Sequence, residues 1–456
     1  MELLVALDPA AAVPLHTQLE RALRADVRAG RLRAGARLPS TRDLAAQLGV
    51  SRGVVVEAYA QLAAEGYLTT RRGSGTRVAD GLTPDPGRAP ERAPHPTAPR
   101  WTFHPGQPDL AGFPRAAWLA AARRALQATP DTALAYGSPR GARTLRDALA
   151  EHLGRTRGVV AHPDQMLVTS GFQQGFALVC ATLARAGASR VAVEDPGWFG
   201  HVRVLRAAGL EPVPIGVDDG GARVEELDGL GVDAVVVTPA HQAPMGGVLA
   251  PQRRARLLAW AQRTGALIVE DDYDAEYRYD REPVGALQGV APDLVVYAGT
   301  ASKVLAPALR LGWLVVPAAL AGPLAEAKRD ADLGTPLLDQ LTLADFVARG
   351  ELDRHLRRMR RRYRRRRDAL LAALAEHVPQ AHVRGVAAGL HAVALFADGA
   401  LDEAELTSDA RAVGIEVHGL ALNRLRPGPP GLVLGYAAMP EPAIAAAVKR
   451  LGRLIG

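Results

Sequence analysis

The chain has 456 residues, of which 48% are hydrophobic and 23% charged; it is too long for one domain of roughly 100–200 residues and too apolar for general disorder. The net charge of +7 favours an anionic partner without requiring one, because lysine occurs only at Lys303, Lys328 and Lys449 and an Ala- and Arg-rich chain can reflect genome composition. A lone cysteine, Cys180, excludes an internal disulfide or a cysteine-based zinc site. No apolar run approaches the ~18–20 residues of a membrane helix, and the opening MELLVALDPA has no basic-then-apolar leader, so a reducing cytoplasm is the expected location.

VPLHTQLERALRADVRAG reads as an amphipathic helix ending at Gly30. LPSTRDLAAQLGV opens a second helix, with Ser40 as N-cap and Asp43 at the third helical position, close to a capping box. SRGVVVEAYAQLAAEG makes a third, capped by Ser51. YLTTRRGSGTRVA reads as a β-hairpin whose turn holds Arg71, Arg72, Gly73 and Gly75. Together these make a winged helix-turn-helix domain over residues 1–79. Residues 1–80 hold 11 arginines and 8 acids, the arginines gathered at the helix starts and the hairpin. Helix N-termini offer free N–H groups to phosphates. Arg52 is placed to reach base edges or phosphate, and Arg72 with Gly73 to enter a minor groove. The same helices also suit a protein-binding module; their spacing alone does not choose.

Asp80–Arg100 carries six prolines in 21 residues, the composition of a semi-rigid interdomain linker. From Trp101 onward, MLVTSG, RVAVEDP, AVVVTP, ALIVEDD and LVVYAG read as short buried strands between Ala/Leu/Arg-rich helical runs. That alternation predicts an α/β domain with a mostly parallel sheet over residues 101–456, mostly helical after about Glu326 and then mixed.

Four constellations along this domain carry chemistry. Ser170, Gly171, Phe172 and Gln173 lie between a strand and a helix, where a glycine turn makes an anion site. Trp198 follows a Pro-Gly turn and either stacks on a flat ring or fills the core. Asp271 and Tyr273, two apart at the end of an apolar strand, share one face, at the strand end where such sheets place ligands. Asp272 and Asp274 are expected on the other face, in structural roles; metal binding by this acidic cluster lacks a neighbouring histidine. Lys303 follows a strand in GTASKVLAPALRLGW. It is either a surface lysine or an amine that condenses with an aldehyde cofactor such as pyridoxal phosphate (PLP). Thr300, Ser302 and Arg310 around it suit a phosphate. The acid and phenol match what a pyridoxal ring needs: one keeps the pyridine nitrogen protonated, the other bonds O3′. The nine arginines of Arg357–Arg367, around Met359 and Tyr363, read as the outer face of a long helix or as a nucleic-acid patch. Cys180 reads as core.

LPSTRDLAAQLGVSRGVVVEAYAQLAAEGYLTTRRGSGTRV closely resembles the GntR-type winged-helix domain of bacterial transcription regulators. The resemblance implies that Arg42, Ser51, Arg52 and Gly53 lie on the DNA and that Arg72 and Gly73 form the wing. Gly53 departs from the usual Thr or Asn and removes one side-chain contact. Residues 101–456 resemble fold-type I PLP enzymes, the aspartate aminotransferase superfamily. This implies Lys303 as the internal-aldimine lysine, Asp271 on the pyridine nitrogen and Tyr273 on O3′. It also implies Gly171, Phe172, Thr300, Arg310 and Ser302 around the phosphate, and Trp198 against the ring. Tyr136, in AYGSPRG, resembles the tyrosine lent across a dimer interface to the partner's phosphate.

The joint architecture, with VEDPGW, TPAHQAPMG, VEDDYDAEYRY and HLRRMRRRYRRRRDAL, resembles the MocR family. It implies a head-to-tail homodimer that binds double-stranded operator DNA and senses PLP, or its aldimine with a small amine effector, in control of vitamin B6 or amine metabolism. The rival readings are a working PLP-dependent aminotransferase with an accessory DNA-binding domain, and a DNA-binding protein with a vestigial cofactor site. Two departures narrow these. Ala243 stands where the superfamily has an asparagine that bonds O3′, with His241 or Gln242 as substitutes. Val433 stands where members that bind amino-acid carboxylates have an arginine, with Arg424 and Arg426 upstream.

Overall fold

The computed structural model describes residues 5–71, 75–80, 99–279, 284–385, 388–397, 399 and 401–456. The chain divides into two compact units, Met1–Thr97 and Ala98–Gly456.

In the first unit, α1 (Leu15–Arg28) buries Leu19, Leu23 and Val27, one helical face at i, i+4 and i+8. It packs on α3 (Arg52–Ala64), which follows α2 (Thr41–Leu48). Ser40 caps α2: its hydroxyl accepts the Asp43 N–H at 3.2 Å and donates to the Asp43 carboxylate at 2.7 Å, so aspartate serves in the place expected of glutamate. Ser40→Ala is expected to cost about 1 kcal/mol of stability in thermal unfolding. Ser51 holds the N-cap position of α3 as expected, but its side chain makes no capping bond. The hairpin forms from β1 (Leu68–Arg71) and antiparallel β2 (Gly75–Val78), and Leu68 and Val78 close the core formed with Leu44, Val55 and Leu62.

In the second unit, β3 (Trp101–Thr102) leads to α4 (Arg115–Ala128), α5 (Arg143–Arg157), β4 (Met166–Thr169), α6 (Phe172–Arg185), β5 (Arg190–Asp195) and α7 (Phe199–Ala207). Next come β6 (Glu211–Asp218), β7 (Gly221–Ala222), β8 (Ala234–Val237), α8 (Pro251–Thr264), β9 (Leu267–Asp272), β10 (Val295–Thr300) and α9 (Ala301–Val304). After β11 (Gly312–Val315) the chain is helical through α10 (Ala318–Asp332), α11 (Leu337–Ala348) and α12 (Glu351–His377). It ends with β12 (His382–Arg384), β13 (His391–Leu395), α13 (Glu403–Ala412), β14 (Ile415–Glu416), β15 (His418–Gly419), β16 (Gly431–Gly435) and α14 (Glu441–Ile455).

The main sheet has the order β4-β11-β10-β9-β8-β5-β6-β7. Its centre is parallel, as strand–helix alternation predicts, while β11 runs antiparallel to both neighbours. Successive residues of the central strands serve opposite faces. Val191, Val193, Val236, Val269 and Val296 pack under α6, α7 and α10; Ala192, Val235, Val237, Ile268 and Val295 pack with Trp260 of α8. All five strands read from the sequence form; β6, β7 and β11 are additional. A second, antiparallel sheet, β12-β13-β16-β15, lies beside α12 and α14 in the largest core cluster.

Helix α12 turns its arginines to structural use. Arg362 and Arg366 hold the buried Asp109 at 2.7 and 3.0 Å, Arg365 meets Glu441 at 3.1 Å, and Arg360 bonds the Glu276 carbonyl, while Met359 and Tyr363 point into the core. Arg357, Arg361 and Arg364 face solvent.

Candidate functional site

In the winged-helix unit, the starts of α2 and α3 lie together: Arg52 Nε donates to Thr41 Oγ1 at 3.2 Å. Arg42, Ser51, Arg52 and Gly53 are all exposed at these two N-termini, a surface of open N–H groups and guanidinium charge suited to phosphate. Arg72 and Gly73 lie outside the described residues.

In the second unit, the carboxyl ends of β4, β9 and β10 converge. Strand β9 lies beside β10, with Asp271 opposite Ala298, and β10 runs directly into α9, whose third residue is Lys303. Burial pushes the Lys303 amine below the ordinary lysine range, against the opposing fields of Asp274 and Asp271. Space for this amine exists because residue 106 is glycine: a Cβ there would stand 2.8 Å from Nζ. Lys328, by contrast, is tied to Asp332 at 2.6 Å, and Lys449 is exposed on α14.

Asp271 is buried, and burial raises its carboxyl pKa against the hydrogen bond from His201. That bond, His201 Nε2 to Asp271 Oδ2 at 3.0 Å, leaves Oδ1 buried without a hydrogen-bond partner. Tyr273 is held by His241 Nδ1 at 2.9 Å, and burial keeps its phenol protonated. Trp198 and Phe172 meet edge-on at 5.7 Å, and both pack edge-on against His201.

At the end of β4, Gly171 takes φ +80° and opens α6. Arg310 lies against it, donating from Nη2 to the Ser170 carbonyl at 2.8 Å; a Cβ on Gly171 would come within 2.8 Å of that guanidinium. An α6 N-terminus beside an exposed arginine is an arrangement suited to a phosphate. Gly171→Ala is expected to weaken PLP binding at least tenfold, since both the left-handed backbone and the contact oppose a side chain; titration of visible absorbance checks it.

Thr300 caps α9, its hydroxyl accepting the Ser302 N–H at 3.1 Å and donating to the Leu311 carbonyl at 3.3 Å. One expectation needs correction. Asp274 does not face away from the site. Strand β9 ends at Asp272, so the two-residue alternation stops there, and Asp274 returns to meet His241 at 3.0 Å. Asp272 does serve structure, bonding Arg157 at 2.8 Å and Tyr297 at 2.7 Å. Ser302 is half-buried beside Lys303. Tyr136 is 92% exposed, in a cleft of about 420 Å³ with Leu134, Arg143, Arg146 and Leu333; the structure does not bring it to its own chain's lysine. Cys180 is buried. Sequence reasoning missed His201 and Gly106. The first stands three residues after Trp198 on α7, and the second lies in HPGQP; no spacing rule points to either.

An amine backed by glycine, a buried carboxylate with an open oxygen, a phenol and an arrangement suited to a phosphate together fit PLP. The partnerless Asp271 Oδ1 is a buried acceptor of the kind a pyridine N–H requires, and Lys303 is the one lysine of three that is neither exposed nor ion-paired. Among the described residues no cluster suits a metal ion, and no helix is long and apolar enough to cross a membrane.

Comparison with known proteins agrees with this geometry. The aminotransferase class I and II family pattern matches residues 106–409, and that of the gntR family of bacterial regulatory proteins matches residues 15–78. A kynurenine aminotransferase of Pyrococcus horikoshii, solved with pyridoxamine phosphate, superposes with a TM-score of 0.73 at 28% identity, covering 79% of this chain and 91% of that one. The second unit is thus a fold-type I aminotransferase-like domain whose cofactor is PLP, in a chain that opens with a GntR-type winged helix. Two relatives share the whole plan. The pyridoxine biosynthesis transcriptional regulator PdxR of Corynebacterium glutamicum is 38% identical over 399 residues, 86% of each chain. The probable rhizopine catabolism regulatory protein MocR of Rhizobium meliloti is 36% identical over 459 residues, 96% of this chain and 92% of that one. The chain belongs to the MocR family of transcription regulators.

Proposed function

We propose that the chain works as a head-to-tail homodimer in the cytoplasm. Its winged helix, residues 1–79, binds double-stranded operator DNA, and its domain of residues 101–456, joined through the Pro-rich residues 80–100, senses PLP or its adduct with a small amine. The observation that carries this reading is the half-buried Lys303, its amine seated against Gly106 and within the field of Asp271.

When bound, PLP supplies an aldehyde and an electron-withdrawing ring. The chain's own residues do the rest. Lys303, its amine kept neutral more readily by burial, would be the residue that holds the aldehyde. Asp271 would keep a proton on the ring nitrogen through its open oxygen, with Trp198 beside the ring. Gly171, Phe172 and Arg310 would hold the phosphate, joined by Ser302 and by Tyr136 of the second copy. A ligand shifts DNA affinity to the extent that it binds one domain arrangement better than another.

Val433 narrows the effector. It is buried in β16 with Val393 and Leu420. Of the two upstream arginines, Arg426 is bound to Asp195 at 2.9 Å, and Arg424 donates to the Pro429 carbonyl. Each lost charge-assisted bond forfeits about 1.5–3 kcal/mol. The effector is therefore PLP itself or an amine without an α-carboxylate, which weighs against efficient transamination. The names of the relatives support vitamin B6 or amine metabolism as the controlled process.

The test is footprinting of the DNA upstream of the gene with and without PLP. Expected is a PLP-dependent footprint that Arg52→Ala abolishes, with affinity falling steeply with salt. A wild-type footprint indifferent to PLP and to amines would remove the sensor role. Loss of visible absorbance on mixing the holoprotein with α-amino acids would favour the aminotransferase reading instead.

A further inference from the structure

We propose that His241, locked by Asp274, is a positioning residue that turns the Tyr273 hydroxyl hydrogen toward the O3′ oxygen of the cofactor, in place of the asparagine that Ala243 lacks. This rests on the reading of Tyr273 given above. Three oxygens surround one ring nitrogen: His241 Nδ1 lies 2.9 Å from the Tyr273 hydroxyl and 3.0 and 3.1 Å from the two Asp274 carboxylate oxygens. A ring nitrogen carries at most one hydrogen, and a carboxylate only accepts. The hydrogen is therefore on Nδ1 and directed at Asp274. Tyr273 then faces an N–H rather than a lone pair and cannot donate to it. Its own hydrogen must point elsewhere, and O3′ of the cofactor is the acceptor we assign to it.

The surroundings fix this arrangement. His241 and Asp274 are 3% and 1% exposed. Gly389 leaves room for the ring, since a Cβ there would meet both His241 and Asp274. His391 packs 5.4 Å from His241 and donates from Nε2 to the carbonyl of Pro244, the residue after Ala243, at 2.9 Å. Burial and His241 push His391 down to about 4, so it stays neutral. Gln242, the other substitute for the asparagine, is turned away, bonding Glu194 and the Pro196 carbonyl. The remaining titratable groups whose fields reach Tyr273 are Asp271, Asp274, Glu194 and Tyr436, and Lys303 feels Asp271 and Asp274.

The experiment titrates the visible absorbance of the PLP-loaded protein with pH. An oxygen anion that loses a hydrogen-bond donor holds a neighbouring proton more tightly, so the pH midpoint rises. Expected is a rise of about one unit, tenfold in proton affinity, in His241→Phe, Asp274→Asn and the control Tyr273→Phe. His241→Asn, which keeps a donor near Nδ1, should titrate close to wild type. Adding Ala243→Asn to His241→Phe should restore the midpoint. If Tyr273→Phe shifts while His241→Phe and Asp274→Asn titrate like wild type, the role of His241 is overturned and the Tyr273 assignment stands. If Tyr273→Phe does not shift, that assignment falls and takes this inference with it. If His241→Asn shifts as much as His241→Phe and Ala243→Asn restores nothing, His241 only fills space and the proposal is wrong.

Discussion

Lys303→Ala is expected to abolish the visible absorbance of the PLP-loaded protein and to lower PLP affinity by roughly a hundredfold, about 2.7 kcal/mol. It should leave binding to the operator intact but indifferent to PLP. The magnitude follows from the loss of a covalent bond where only phosphate, ring and phenol contacts remain. Borohydride reduction gives an independent measure. Wild type should gain the mass of the cofactor on the peptide that contains Lys303. Lys328 is sealed in its ion pair with Asp332, and exposed Lys449 reports non-specific labelling in the same digest. Label distributed equally between Lys303 and Lys449 would show that Lys303 has no special reactivity.

Asp272→Ala is expected to destabilise the protein by about 3–5 kcal/mol, read as a lower urea midpoint. Its carboxylate and the Arg157 guanidinium are each 1% exposed and 2.8 Å apart. Removing one partner strands a buried charge that cannot recover its hydration, and it strips the Tyr297 hydroxyl of its acceptor. A double change of Asp272 and Arg157 to leucine should be less harmful than Asp272→Ala alone, because no unpaired charge remains. A single-variant loss below about 1 kcal/mol would mean that water reaches the pair.

Much of this was legible in the sequence because strong local signals coincide with strong physics. The strands at Met166, Arg190, Ala234, Leu267 and Val295 are buried on both faces and therefore read as apolar runs. Ser40 with Asp43 marks a helix start because a cap is a local bond. Lys303 stood out because lysine is scarce. The features that escaped depend on chain segments far apart. Gly106 acquires meaning only when the fold brings it against an amine 197 positions later. His201 meets Asp271 across 70 residues. Asp274 was assigned to the wrong face because an alternation rule was carried two residues past the end of its strand.

Strand β9 ends in two adjacent aspartates with opposite duties, Asp271 toward His201 and Asp272 toward Arg157. A one-residue slip of a strand exchanges its faces, and here it would exchange one carboxylate for another. The two aspartates alone therefore do not proofread this strand. Its indexing comes from the partners on its other face. Glu270, one residue before Asp271, accepts the N–H groups of Leu287 and Gln288 at 3.0 Å each, and Arg157 bonds Asp272, one residue after it. Which aspartate is presented to His201 is thus written in a glutamate and an arginine on the other face of the strand.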